Sequence, residues 1–275
     1  MRRAAVAIVL VPALYFAIVF FVPLADRLVL FPTTFELSAG EAKSKLLPLN
    51  GGNLEVWTAA SPGARQKPGP DAYLLRFYGN ADRADRWVAL EAQEWDQHAV
   101  EVWGVNYPGF GRSSGPAGLR QMAEAGITAF DALHAAAGGK PIIVSGTSIG
   151  STVALHIAAE RKITGLVLQN PVALRQVILR GFGWWNLWLL AGPVAMQIPR
   201  ELDSITNARR VTAPAVFLLA ERDEIVAPRF QQLVVEAYAG EKRIITLPGA
   251  GHNSPIEGAV LGEVINAYEW LLPPR

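Results

Sequence analysis

The chain of 275 residues contains no cysteine, which excludes a thiol nucleophile, disulfide staples and cysteine-ligated zinc, and suits an oxidising compartment. An excess of either charge is also lacking: 25 basic residues face 24 acidic ones, a net charge of +1. No basic block is present to track a phosphate backbone, so nucleic acid is not an expected partner. Histidine is scarce at four residues, leaving few candidates for a general base or a metal ligand. No internal repeat or low-complexity tract divides the chain, and its length suits one large α/β domain with a sizeable core.

Apolar residues are abundant, at 51% of the chain, and part of that abundance is one segment. The uncharged run from Ala4 to Leu24 would span about 31 Å as a helix at about 1.5 Å per residue, close to the thickness of a bilayer core. Arg2 and Arg3 precede the run, and Asp26 and Arg27 follow it. The expectation is an N-terminal transmembrane anchor over residues 1–27, contacting the membrane through residues 4–24, with the N-terminus cytoplasmic and the 28–275 domain outside. A cleaved secretory signal is the alternative, although Pro23-Leu24-Ala25 makes a poor cleavage site. A buried core helix is a third reading.

Beyond a connector at Leu28–Thr34, strands are expected at Lys45–Leu49 and Leu54–Ala59, followed by a Pro- and Gly-rich loop at Ser61–Pro70. Strands and helices then alternate. Strands are read at Ala72–Tyr78, Ala99–Val105, Pro141–Ser145, Gly165–Gln169, Ala215–Ala220 and Arg243–Leu247. Helices are read at Arg83–Gln97, Gly118–Ala137, Ile149–Arg161, Arg229–Ala239 and Gly258–Leu272. Short apolar strands alternating with helices make an α/β fold, a mostly parallel sheet covered on both faces. One stretch, about 172–208, is too long for a single crossover helix and is expected to form a small helical cap.

Gly146-Thr147-Ser148-Ile149-Gly150 lies between an expected strand and an expected helix, the context that turns a five-residue match into a nucleophile elbow. A serine hydroxyl needs a base and a group to orient that base. His252, in the loop after the strand ending at Leu247, is the candidate base. Asp223, after the strand ending at Ala220, is the candidate to orient it, with Glu221 and Glu224 as neighbours that could be mistaken for it. His98, His134 and His156 are read as structural, and the i, i+4 pair His156 and Glu160 does not make a metal site. For the oxyanion, the backbone amides of Ile149 and Asn80 are the candidate donors, the latter in the loop Gly79-Asn80-Ala81.

These motifs, with Asn106-Tyr107-Pro108-Gly109-Phe110-Gly111-Arg112-Ser113, resemble the α/β-hydrolase superfamily over about residues 28–272. More narrowly, they resemble its branch of membrane-associated serine hydrolases that includes the depalmitoylase-like members. The resemblance implies the α/β-hydrolase fold, a Ser148, Asp223 and His252 triad, and hydrolysis of an ester, thioester or amide without a cofactor or metal. Members of the branch commonly carry histidine before the glycine of the oxyanion loop, where this chain has Tyr78.

Substrate choice is expected to rest on the cap. Trp184 and Trp188 are spaced one helical turn apart and, with Trp185, are candidates to line an acyl pocket, to rest at a lipid interface, or to pack as a lid; Tyr78 is a further candidate substrate contact. A small-molecule or lipid acyl ester is the expected substrate. A serine peptidase or aminopeptidase and an inactive membrane-anchored binding protein are the alternatives.

Overall fold

The computed structural model describes residues 2–35, 37–95 and 98–272, with side chains from residue 10 onward except at 11 and 20. Eight strands form a single sheet in the order β1-β2-β4-β3-β5-β6-β7-β8. They are β1 (Lys43–Leu49), β2 (Gly52–Ala60), β3 (Ala72–Phe77), β4 (Val100–Val105), β5 (Ile142–Thr147), β6 (Gly165–Gln169), β7 (Ala215–Ala220) and β8 (Lys242–Leu247). The first two pairings, β1 with β2 and β2 with β4, are antiparallel, and every later one is parallel. All eight strands fall where the sequence pattern put them, shifted by at most two residues at an end.

The parallel strands are buried on both faces because helices cover both. One apolar layer gathers Leu75, Phe77, Leu119, Phe130, Val144 and Leu155 beneath α5 (Leu119–Ala137) and α6 (Gly150–Glu160). The other gathers Leu74, Tyr78, Val88, Val102, Val216 and Leu271 beneath α4 (Ala84–Glu94) and α11 (Ala259–Leu271). The alternation along β3 sends Leu75 and Phe77 to one layer and Leu74 and Tyr78 to the other, as strand geometry requires. A further helix, α10 (Pro228–Ala237), follows β7. The expected helix at Arg83–Gln97 is α4 as far as Glu94; residues 96 and 97 lie outside the described residues.

The N-terminal segment differs from the expected pattern. A helical backbone, α1, runs Arg2–Phe21, and after a break before Pro23 a second helix, α2, covers Leu24–Val29. The expected span at 4–24 falls partly on side chains outside the description; among the described residues no helix is long and apolar enough to cross a membrane. Residues 24–29 pack against the body of the domain. Ala25 is buried in the core, and the Asp26 carboxylate accepts the Leu119 amide at 2.9 Å, capping α5 at an end where Gly118 has no side chain to do so. The expected loop at Ser61–Pro70 also contains one helical turn, α3 (Pro62–Arg65), because Ser61 accepts the Ala64 amide and Pro62 suits a first helical position.

The cap is broken into short pieces: α7 (Leu174–Gln176), a π-turn at Val177–Phe182, a 3₁₀ turn at Trp184–Asn186, α8 (Ala191–Met196), a 3₁₀ turn at Arg200–Leu202 and α9 (Ser204–Ala208). Ile178, Val194, Ile198 and Leu202 seat these pieces on the core.

Candidate active site

Two glycines of the elbow are there for space. A side-chain carbon at Gly146 would collide with the Gly150 carbonyl, and one at Gly150 would collide with the carbonyls of Phe77 and Tyr78. The chain can therefore turn from β5 into α6 in contact with the end of β3 only if both positions are bare. Ser148 stands at the apex with φ of 52°, a left-handed conformation that a serine adopts at a local cost of roughly 1–3 kcal/mol and that is met at functional sites. Its amide donates to the Gln169 carbonyl at 2.9 Å, and its carbonyl accepts the Ser151 amide at 2.9 Å.

Gly79 lies over the serine, since a carbon added there would stand 3.7 Å from the Ser148 Cβ. The Asn80 side chain turns back to the connector, accepting the Phe31 amide at 2.9 Å and donating to the Val29 carbonyl. This clamp fixes the loop and leaves the Asn80 backbone amide, like that of Ile149, with no protein acceptor among the described residues. Two orphan donors flanking a helix N-terminus suit a developing negative charge.

The acid and the base meet directly: His252 Nδ1 lies 2.7 Å from Asp223 Oδ2, and both residues are buried. Asp223 also accepts the amides of Ile225 (2.9 Å) and Val226 (2.6 Å) through Oδ1, and the Gln231 side chain (2.8 Å) through Oδ2. The neighbouring acids hold the histidine's loop instead. Glu224 accepts the His252 amide at 3.1 Å, and Glu221 accepts the Gly249 amide at 2.7 Å. The remaining histidines stand apart: His98 pairs with Glu269 at 3.1 Å, His134 stacks on Phe130, and burial lowers the pKa of His156. Glu160 pairs with Arg210, and no cluster of three metal-ligating side chains occurs among the described residues.

Three polar residues that the sequence reading passed over tie these parts together. Asn170 follows β6 with φ of 48°; its side chain donates to the His252 carbonyl and accepts the Ala220 amide, each at 2.9 Å. Its neighbour Gln169 holds the Ser148 amide, so the turn of Ser148 and the loop of His252 hang from two adjacent residues. Arg76, the one charge in β3, pairs with Glu91 at 2.8 Å and donates to the Thr147 hydroxyl at 2.8 Å. It thus braces the residue before Ser148. A cation inside an otherwise apolar strand was the visible signal for it.

Tyr78 does not join the substrate side. It is buried between the sheet and α4, its hydroxyl donates to Glu91 at 2.7 Å, and burial first, then the Glu91 charge, raises its pKa far above the usual phenol value. It completes the Arg76 and Glu91 pair from below. The expected shared face of Trp184 and Trp188 is also corrected. Leu187 and Trp188 are left-handed, with φ of 50° and 59°, so no helix connects the two positions and the rings of Trp184, Trp185 and Trp188 stand exposed.

Residues 68–198 match the family described as Hydrolase_4: Serine aminopeptidase, S33. An uncharacterized protein of Mycobacterium tuberculosis is 27% identical over 204 residues, covering 71% of this chain and 68% of the relative. Among solved structures, an esterase of Pyrococcus furiosus superposes with a TM-score of 0.63 at 15% identity, over 88% of this chain and 97% of that one. Est1E of Butyrivibrio proteoclasticus, with ferulic acid bound, gives 0.65 at 17% identity, over 82% and 97%. At these identities the likeness to the solved structures is one of fold.

Proposed function

We propose that this chain, an α/β-hydrolase enzyme, cleaves a carboxylic ester or thioester of a hydrophobic acyl group through Ser148, His252 and Asp223. The observation that carries the reading is the 2.7 Å bond between His252 Nδ1 and Asp223, which commits one ring nitrogen and leaves Nε2 for a serine hydroxyl. The Ser148 oxygen attacks the acyl carbon as Nε2 takes its proton, and the amides of Ile149 and Asn80 receive the oxyanion. The imidazolium then protonates the departing alcohol or thiol. Water enters, gives its proton to the same nitrogen and releases the acid from the acyl-enzyme, restoring Ser148. A fluorophosphonate probe should label the wild type and leave Ser148→Ala unlabelled; equal labelling would sink the mechanism and favour an inactive binding protein on a hydrolase scaffold.

The family match favours a second reading, an aminopeptidase. Such an enzyme needs a carboxylate for the substrate ammonium; the acids of the cap are Glu201 and Asp203, of which Asp203 is paired with Arg175, while Glu221 and Glu224 are bound to the histidine's loop. A panel of esters, thioesters and aminoacyl amides separates the two. We also assign residues 4–24 to a single membrane span with the N-terminus cytoplasmic and the catalytic domain extracytoplasmic, on the uncharged run and its flanking arginines. A tag after residue 275 that is protected from external protease in intact cells would reverse that orientation, and a mature chain lacking residue 4–24 would show a cleaved signal instead.

A further inference from the structure

The catalytic reading leaves the tip of the cap without a role. Phe182, Trp184, Trp185, Leu187, Trp188 and Leu189 are all exposed there, Trp184 at 69%. Large apolar side chains gathered on one exposed segment mark a contact site. The backbone is built to present them. The left-handed pair Leu187 and Trp188 reverses the chain, and the reversal is stapled by bonds from Trp188 Nε1 to the Leu179 carbonyl (2.9 Å) and from Asn186 to the Phe182 carbonyl (3.1 Å).

The tip adjoins α1. The Tyr15 hydroxyl donates to the Leu189 carbonyl at 2.6 Å, and Gln197, at the end of α8, donates to the carbonyls of Val19 and Val22. Ile18 and Phe21 of α1 are exposed as well, so an apolar surface is present on both elements. Between Asn170 and Glu201 the sequence has three arginines and no acid; Arg175 is engaged with Asp203, and Arg180 and Arg200 are exposed.

We propose that the cap tip, residues 182–190, docks into the anionic phospholipid leaflet through which α1 leaves the membrane. This rests on the proposed span and not on the chemistry at Ser148. Tyr15 lies six residues before the helix ends at Phe21, which sets the tip roughly 9 Å along the helix from that end at about 1.5 Å per residue. Tryptophan favours the membrane–water boundary, and the exposed Arg180, two residues before the tip, can meet an anionic headgroup there. A second copy of the chain on the same face would instead bring like arginines together across a two-fold axis.

The test uses the full chain in phosphatidylglycerol vesicles brominated at shallow acyl carbons. Wild-type tryptophan emission should be quenched, and Trp184→Gln with Trp185→Gln and Leu187→Gln should lose the larger part of that quenching while still sedimenting with the vesicles. Leu187→Glu with Leu189→Glu keeps every tryptophan and should lose it too. Ser148→Ala should quench as the wild type does, so failure of the hydrolase reading leaves this result intact. The proposal is overturned by a chain that does not sediment with vesicles, or by equal quenching in all variants. A wild type unquenched because it runs as a dimer that the substitutions split overturns it as well, and assigns the face to a second copy.

Discussion

Asp223 has four hydrogen-bond donors, and only one of them is the imidazole of His252. The other three hold the carboxylate in one orientation, whereas Glu221 and Glu224 accept backbone amides of the loop that carries His252. Asp223→Asn should preserve the fold and lower kcat on a p-nitrophenyl ester by about 10⁴, since an amide favours the wrong imidazole tautomer; a loss below tenfold would remove Asp223 from the mechanism. Tyr78 makes the opposite point. Tyr78→Phe strips Glu91 of one donor and should cost about 1–2 kcal/mol in urea unfolding with KM unchanged. A raised KM with unchanged stability would return Tyr78 to the substrate side.

The elbow works as an element because three strands end around it. Gly79 and Asn80 follow β3, Ser148 follows β5, and Gln169 at the end of β6 and Asn170 just after it hold the serine and the histidine's loop. Beneath them, Arg76 of β3 reaches Thr147 of β5, whose hydroxyl donates onward to Gln169 at 3.1 Å. Thr147→Val keeps the shape and breaks this brace. Its expected signature is a kcat reduced about tenfold with KM little changed, as if the two lost hydrogen bonds together contributed about 1.4 kcal/mol to holding the turn. A fall in thermal stability with full kcat would make the brace structural only.

At the scale of the whole molecule, a buried carboxylate joins the antiparallel edge to the site's surroundings. Glu55 of β2 accepts the Asn106 amide group at 2.8 Å and the Arg112 side chain and backbone at 2.7 and 3.0 Å. Burial alone would raise its pKa, but the bonds from Arg112 and Asn106 outweigh it and hold the pKa below the ordinary 4.5. A depressed folded pKa means that Glu55 contributes stability above the unfolded pKa and loses it as pH falls through the folded one. Acid unfolding should therefore steepen below about pH 4.5, and Glu55→Gln should cost about 1.5–3 kcal/mol at pH 7 and flatten that limb. An unchanged acid limb would show that other carboxylates control it. The motif from Asn106 to Ser113, legible in the sequence as a resemblance, owes its form largely to this buried acid, which lies some fifty residues away along the chain.

Local patterning determined much of this protein. All eight strands, the glycines of the elbow, and the order serine, acid, histidine are readable because alternation, steric need for bare backbone and short-range turns are written in consecutive residues. Partnerships between distant residues are not written that way. That Asn170 carries the histidine's loop, that Arg76 braces the serine's turn and that Tyr78 is buried against Glu91 depend on which strand ends meet in the sheet. The tryptophans of the cap show the difference most plainly. Their spacing suggested a shared helical face, but two left-handed residues reverse the backbone between Trp184 and the end of the tip, and only tertiary packing decided that these rings point outward.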